Sequence, residues 1–195
     1  MQDLPLTPDV LVAAYSQGVF PMDVEGRICW FSPDPRTIIP LESFHVARSL
    51  GRVCRRGVFE VRVNTAFREV MLGCADRAEG TWISEEILEA YGELHRLGLA
   101  HSVETWQDGE LAGGVYGVAL GGAFFGESMF HRRTDASKVA LVALVERLKA
   151  RGYVLFDVQY TTAHLKRFGA VEIPRRLYLK RLAGALALPV TFVDA

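Results

Sequence analysis

A two-residue hairpin signal constrains the fold of this chain more than any other feature of its sequence. Asp108-Gly109 separates two segments whose apolar and polar residues alternate, and Gly121-Gly122 marks a second tight turn. An Asp-Gly pair suits the left-handed dihedral angles of the short turns that join antiparallel strands. The sequence therefore predicts three consecutive antiparallel strands over residues 101–106, 110–120 and 123–130.

Helical patterns lie on both sides of these strands. Residues 84–97 follow helical spacing between Ser84, which suits an N-cap, and Gly98, which suits a stop. Residues 135–149 carry a broad apolar face behind Asp135 as cap, residues 153–159 are typical of a buried strand, and residues 175–186 form a final helix. This order predicts an α+β fold with a mixed sheet flanked by helices.

The N-terminal part has a more irregular pattern. Thr7-Pro8 predicts a capped helix, and further short elements are expected at residues 28–31, 43–53, 59–63 and 65–72. Three prolines between positions 33 and 40 prevent a regular helix there. We predict a smaller α/β N-terminal lobe over residues 1–75 and a main domain over residues 76–195.

The composition excludes several classes of protein. Half of the residues are hydrophobic, which argues against a disordered chain, and the net charge of −1 indicates no general affinity for nucleic acid or membranes. Three cysteines are too few and too widely spaced for a disulfide framework, and the five histidines lack the spacing of zinc sites. With no signal peptide or long apolar run, we expect a cytoplasmic monomer without metal or cofactor.

A carboxylate within the third strand is the first candidate for chemistry. Glu127 ends an apolar run and precedes Ser128 and Met129. Burying a carboxylate without a partner is costly, so Glu127 is either hydrogen-bonded, engaged by a ligand, or exposed to water at the strand end.

Asp157 and Gln159 are the second candidate. Residues two apart on a strand face the same side, so the two side chains are expected to point together, with Phe156 and Val158 facing the other layer. A carboxylate beside a carboxamide can hold an amine and a carbonyl in fixed orientation and can relay a proton. The alternative is a pair of ordinary polar residues at a sheet edge.

Positive groups could bind phosphate at two kinds of place. Ser137 and Lys138 lie at the start of a helix, where free backbone N–H groups can hold a phosphate or a terminal hydroxyl, or can simply be capped. Basic residues also cluster, either as a track for a phosphate backbone or as solvated helix faces. The clusters are Arg48, Arg52, Arg55 and Arg56, and Lys166, Arg167, Arg175 and Arg176.

Taken together, the motifs resemble the leucyl/phenylalanyl-tRNA–protein transferase family. The matching runs are collinear and cover nearly all of residues 11–182. They are Ala14-Tyr15, Gly18-Val19-Phe20-Pro21, Trp30-Phe31-Ser32-Pro33-Asp34-Pro35-Arg36, Thr81-Trp82-Ile83, Ala100-His101-Ser102-Val103-Glu104, Gly113-Gly114-Val115-Tyr116-Gly117, Gly126-Glu127-Ser128-Met129-Phe130, Ala136-Ser137-Lys138, Asp157-Val158-Gln159 and Gly169-Ala170-Val171-Glu172-Ile173-Pro174-Arg175.

The resemblance implies a reaction as well as a fold. The fold would be like that of the acyl-CoA N-acyltransferases (GNAT-like), in the domain over residues 76–195. The family moves Leu, Phe and less efficiently Met from charged tRNA to proteins that begin with Lys or Arg, which marks them for degradation. Gln159 would orient the amine, Asp157 would position Gln159, and Glu127 would bind an amino group. Either this pair or the terminal ribose of the tRNA would move the proton.

The resemblance also implies binding residues. The expected aminoacyl pocket comprises Val115, Met129, Leu141, Leu144, Leu148 and Phe156, and the expected site for the tRNA 3′ end comprises Trp30, Trp82, Ser137 and Lys138. Some positions depart from the family pattern and imply an altered pocket volume. They are Val115, Leu144 and Leu148, which are bulkier or aromatic in familiar members, Phe31 in place of a second Trp, and Thr162 in place of a carboxamide.

Two other functions are compatible with this fold. An acetyl-CoA-dependent N-acyltransferase would need a glycine-rich pyrophosphate loop, whereas residues 131–138 contain no glycine. A non-catalytic tRNA-binding module would have no transfer activity for an Asp157 substitution to remove. Tight binding of acetyl-CoA would favour the first alternative. Loss of transfer in an Asp157 variant would argue against the second, which has no transfer activity to lose.

Overall fold

The main feature of the fold is a mixed sheet with helices on both faces, seen in a computed structural model that describes residues 5–193. Its strands are β1 (Phe20–Val24), β2 (Arg27–Phe31), β3 (Arg36–Ile38), β4 (Glu60–Val63), β5 (Ala100–Gln107), β6 (Glu110–Leu120), β7 (Ala123–His131), β8 (Leu155–Gln159) and β9 (Val171–Ile173). Its α-helices are α1 (Pro8–Ser16), α2 (Arg48–Arg55), α3 (Phe67–Ala75), α4 (Glu85–Arg96), α5 (Ala136–Ala150), α6 (Ala163–Lys166) and α7 (Arg175–Leu186), and a 3₁₀ turn spans Leu41–Ser43.

Seven of these strands form the sheet in the order β4-β5-β6-β7-β8-β3-β9, whereas β1 and β2 form a separate hairpin. Strands β5, β6 and β7 make the predicted antiparallel meander, and α5 then crosses over to β8, which is parallel to β7. The predicted α+β class and mixed sheet are therefore confirmed. Strand β3 lies between β8 and β9 and is antiparallel to both.

Local signals placed most elements correctly, although two caps differ. Asp108 and Gly109 have φ values of 54° and 78°, as the hairpin turn requires, and the Thr7 hydroxyl accepts from Val10 N at 3.4 Å. Asp135 precedes α5 but does not cap it, because its φ of 68° and its ion pair with Lys138 turn the carboxylate elsewhere. Ser84 precedes α4, yet its hydroxyl makes no capping hydrogen bond.

The N-terminal part differs more from prediction. The helix expected from residue 43 begins at Arg48, after the 3₁₀ turn, and the short strands β1, β3 and β9 were not predicted. Strands β3 and β4 precede residue 75 and pair with strands from the rest of the chain. The division of the chain at residue 75 stays a prediction.

Apolar side chains form one layer on each face of the sheet. Successive strand residues alternate between the layers, so that Phe124 packs with α5 on one face and Phe125 packs with α1, α3 and α4 on the other. Leu144 and Leu148 of α5 are fully buried in the first layer. None of the described helices is long and apolar enough to cross a membrane.

Candidate active site

A cavity of about 280 Å³ opens beside the carboxyl end of β8. Four of the six residues predicted for the aminoacyl pocket line it: Val115, Met129, Leu141 and Phe156. The complete lining is Arg77, Trp82, Val115, Gly126, Glu127, Ser128, Met129, Leu141, Phe156, Val158, Gln159, Tyr160, Thr162, His164 and Leu165. The site therefore combines an apolar wall with a polar end formed by Glu127 and Gln159.

Leu144 and Leu148, the other two residues predicted for the pocket, do not line this cavity. They share a helical face with Leu141, but Leu148 lies two turns further along α5, roughly 10 Å away at 1.5 Å per residue. Both leucines instead pack in the core beneath the sheet. A helical pattern identifies the buried face of α5 but not the depth at which the cavity ends.

Glu127 projects from β7 into the polar end of the cavity. Its Oε1 accepts hydrogen bonds from the Tyr15 hydroxyl at 2.7 Å and from Gln159 Nε2 at 3.2 Å, and the side chain is half-buried. Burial raises the pKa of Glu127 to about 8, with the Asp157 carboxylate adding to the effect and the Tyr15 hydroxyl opposing it. Glu127 is therefore hydrogen-bonded within the protein and is not a strand-end glutamate surrounded by water.

Two buried tyrosines support Glu127 from behind. Tyr15 reaches it from α1, and the Tyr15 hydroxyl is in turn hydrogen-bonded to the Tyr91 hydroxyl of α4. Both rings are fully buried, and burial raises the pKa of each hydroxyl well above its usual value. The hydroxyls therefore stay protonated and act as neutral hydrogen-bonding groups.

Asp157 of β8 is not a lining residue of the cavity. Its Oδ2 accepts from Arg36 Nη2 at 2.6 Å and from the Tyr178 hydroxyl at 2.7 Å. Its Oδ1 accepts from Arg36 Nε at 2.9 Å and from the backbone N–H of Gln159 at 2.9 Å. The carboxylate is fully buried, and these donors use the acceptor positions of both oxygens.

Gln159 lines the cavity, whereas the fully buried Asp157 does not, and the expectation that their side chains point together stays a prediction. Gln159 has a φ of 55°, and the register between β3 and β8 shifts between Thr37 and Ile38, so the alternation of faces ends at this position. The Gln159 carboxamide lies at the polar end of the cavity, with its Nε2 3.2 Å from Glu127 Oε1. Asp157 supports that left-handed backbone by accepting its N–H.

Arg36 was in a matching run of the sequence but was not predicted as a site residue. Its guanidinium lies between the rings of Phe20 and Tyr178, 4.8 and 4.6 Å from their centres, and its Nη1 donates to the Gly18 carbonyl at 3.0 Å. A fully buried arginine needs such partners. One indication of a role for Arg36 and for Tyr15 came from the sequence, namely that each lies in a run that resembles the family.

The structure separates the four residues predicted to bind the tRNA 3′ end. Trp82 lines the cavity, whereas Trp30 is on β2 and lines a different apolar groove beside α1. Ser137 is buried at the start of α5. Lys138 lines a smaller adjoining cavity of about 160 Å³, which shares His164 with the first.

One of the two predicted basic clusters forms a groove. Arg48, Arg52 and Arg55 line a depression of about 570 Å³ between α2 and α5, with Glu146 on the facing helix. The second cluster does not form a single surface feature, since Arg167 lines the smaller cavity and Arg175 donates to the Ser32 carbonyl at 2.9 Å. Within residues 5–193, no group of His, Cys, Asp and Glu side chains is arranged to hold a metal ion.

Comparisons with known proteins agree with the resemblance seen in the sequence. The model of the leucyl/phenylalanyl-tRNA protein transferase family matches residues 38–183, and the model of the N-terminal domain of that transferase matches residues 5–34. A leucyl/phenylalanyl-tRNA–protein transferase of Herpetosiphon aurantiacus is 58% identical over 188 residues, which cover 96% of this chain and 98% of the relative. The enzyme of the same name from Rubrobacter xylanophilus is 58% identical over 189 residues, with the same coverage.

A search of solved structures found a GCN5-related N-acetyltransferase-like protein from Streptococcus suis. It is 15% identical in sequence, with a TM-score of 0.42 over 85% of this chain and 63% of that one.

Proposed function

Because the chain belongs to the leucyl/phenylalanyl-tRNA–protein transferase family and is a transferase, we propose that it moves Leu or Phe, and less efficiently Met, from charged tRNA to proteins that begin with Lys or Arg. The new N-terminal residue would mark those proteins for degradation. The observation that carries the proposal is an apolar cavity whose polar end holds a carboxylate and a carboxamide 3.2 Å apart, Glu127 and Gln159.

The apolar wall suits the transferred side chain. Val115, Met129, Leu141 and Phe156 offer contacts to an unbranched Cβ followed by a branched or aromatic end. The cavity volume of about 280 Å³ is near the lower end of small-molecule pockets, which fits an amino-acid side chain with part of a nucleoside at the mouth. Trp82 lines the cavity and would stack on the terminal adenine.

The polar end suits the acceptor amine. The aminoacyl ester is already activated, so the enzyme must chiefly align the amine with the ester carbonyl and stabilise the charge that develops. Gln159 presents a carboxamide oxygen to the amine, and Glu127 offers a second oxygen beside it as a hydrogen-bond acceptor. Asp157 acts through Gln159 by accepting its backbone N–H, without contact to the substrate.

The rest of the tRNA would follow the basic surfaces. The groove of Arg48, Arg52 and Arg55 can follow a phosphate backbone, and the smaller cavity with Lys138 and Arg167 adjoins the main one through His164. A protein with a net charge of −1 needs such local clusters to bind a polyanion. We further propose that the protein acts in the cytoplasm as a monomer.

A transfer assay tests the proposal directly. Labelled leucyl-tRNA and phenylalanyl-tRNA would be incubated with the full chain and a peptide that begins with Arg, with an otherwise identical peptide beginning with Glu as control. We expect label in the Arg peptide alone and a drop of at least about tenfold for Gln159→Ala, since an aligned catalytic polar group contributes about that much or more. Absence of transfer from any charged tRNA to Lys, Arg or acidic acceptors would refute it.

A further inference from the structure

The proposed function, on which this inference rests, requires some group to take a proton from the α-ammonium group of the acceptor. We propose that Glu127 accepts the proton that the acceptor's α-ammonium group must lose before it can attack the ester. Gln159 and Asp157 then orient the reactants and take no proton.

The chemistry of the acceptor requires a base. An α-amino group has a pKa of about 7.7–8.0, so a large part of it is protonated near neutral pH and has no free lone pair for attack. A carboxamide cannot take a proton in this pH range, which excludes Gln159 as the base. The base must therefore be a titratable group that reaches the cavity.

Asp157 is excluded by its contacts. Both of its oxygens accept hydrogen bonds from Arg36, and Tyr178 and the Gln159 backbone supply the remaining donors. The side chain is fully buried, is paired with Arg36 and does not line the cavity. Asp157 therefore does not contact an amine in the cavity directly.

Glu127 has the geometry that Asp157 lacks. Among the described lining residues of the cavity it is the one carboxylate, and its Oε1 is held by Tyr15 and Gln159. Its Oε2 has no hydrogen-bond partner within residues 5–193. Oε2 can therefore accept from an ammonium in the cavity while Oε1 keeps the side chain in place.

The electrostatics around Glu127 match the task. Burial raises its pKa to about 8, close to that of an α-amine, so that proton transfer between the two groups costs little free energy. The buried pair of Arg36 and Asp157 acts on Glu127 in opposite senses, with the cation lowering its pKa and the carboxylate raising it.

The other titratable groups near Glu127 do not compete for the proton. Burial raises the pKa of Tyr116 on β6 well above its usual value and that of Cys74 on α3 to about 12, as it does for the tyrosines of α1 and α4, so all remain protonated. Arg77 is a cation. Burial lowers the pKa of His164 and makes it a weaker base than usual.

Each proton and electron pair in this transfer has a defined destination. Glu127 Oε2 takes one proton from the α-ammonium, and the lone pair of the resulting amine forms the C–N bond at the ester carbonyl. The C–O bond to the terminal ribose breaks, and its electron pair stays on the ribose oxygen. That oxygen takes a second proton from the nitrogen, which leaves the amide and a free ribose hydroxyl. Glu127 then releases its proton to solvent at the cavity mouth.

Two acceptors tested with one isosteric variant examine this role. The first is the Arg peptide, and the second is its analogue in which an aminooxy group, neutral at pH 7, replaces the α-amine. For Glu127→Gln we expect at least a 100-fold loss of transfer to the amine and at most a threefold loss to the aminooxy analogue, because only the amine needs a base. Gln159→Ala should reduce transfer to both acceptors alike.

The pH profile supplies a second readout and remains useful if Glu127→Gln fails to fold. In the native enzyme the rate at saturating amine should rise with pH as Glu127 ionises. Tyr15→Phe removes a donor to Oε1, which raises the pKa of Glu127 and should move this rise to higher pH. Glu127→Asp, which keeps a carboxylate, should recover part of the lost rate.

The outcomes separate this inference from the proposed function. If native enzyme labels neither acceptor, the proposed function fails. If native enzyme is active while Glu127→Gln loses both acceptors equally, or loses neither, or if the pH profile of Tyr15→Phe does not move, Glu127 is not the proton acceptor.

Discussion

The ion pair between Arg36 and Asp157 should make the fold sensitive to a change of a single atom. Asp157→Asn keeps the shape and one carbonyl acceptor but removes the charge opposite a guanidinium that is itself fully buried. An uncompensated buried charge costs about 3–5 kcal/mol, since the remaining ion has lost water without keeping its partner. We therefore expect the free energy of unfolding to fall by about 3–5 kcal/mol.

Urea denaturation followed by circular dichroism measures this loss. Thermal unfolding gives a second measure. For a chain of 195 residues, each kcal/mol of lost stability lowers Tm by about 2–4 °C, so the Tm of Asp157→Asn should fall by about 6–20 °C. The matched control is Arg36→Met combined with Asp157→Asn, which removes both charges. The double variant should be more stable than the sum of the single changes implies, because neither ion is left alone.

A loss below about 1 kcal/mol for Asp157→Asn would refute this reasoning, because such a value is typical of exposed ion pairs. Additive effects in the double variant would also contradict it, since they would mean that Arg36 and Asp157 do not depend on each other.

Three further predictions concern the cavity, the basic groove and a buried histidine. Leu141→Ala should change the ratio of Leu to Phe transfer, whereas Leu144→Ala should cost about 2–5 kcal/mol of stability and leave that ratio unchanged. Arg52→Ala should weaken tRNA binding and reduce its salt dependence by roughly one counterion, while Arg96→Ala, on the exposed end of α4, should do neither. Burial lowers the pKa of His101 to about 4 from an unfolded value of about 6.5. The free energy of unfolding should therefore fall as the pH drops from 6.5 to 4, by at most about 3 kcal/mol, and His101→Gln should lose this dependence.

Each of these predictions has a result that would contradict it. Transfer assays that show altered amino-acid preference in Leu144→Ala would mean that the cavity extends further along α5 than its lining indicates. Equal salt slopes for native enzyme and Arg52→Ala would place the tRNA elsewhere. Unfolding curves for native enzyme and His101→Gln that change in parallel between pH 6.5 and pH 4 would show that His101 is not the source of the pH dependence.

Much of the architecture could be predicted from the sequence because its signals are local. Turn residues such as Asp108-Gly109, the change from alternating to helical spacing, and the stop at Gly98 act over a few residues, and they located the β5–β6–β7 meander, α4, α5 and α7. The short strands β1, β3 and β9 escaped prediction because they are only three to five residues long, and β3 and β9 also depend on partners far away in the chain for their hydrogen bonds.

The site itself depended on tertiary structure. The sequence predicted Glu127, Asp157 and Gln159 as the catalytic residues, but which of them line the cavity and which is buried against Arg36 depends on contacts across more than a hundred residues. Arg36 and Asp157 are 121 positions apart, and Tyr15 and Glu127 are 112 apart. Strand alternation predicts which way a side chain points only while the backbone stays extended, and the packed sheet ends that alternation at Gln159, where φ is 55° and the register between β3 and β8 shifts.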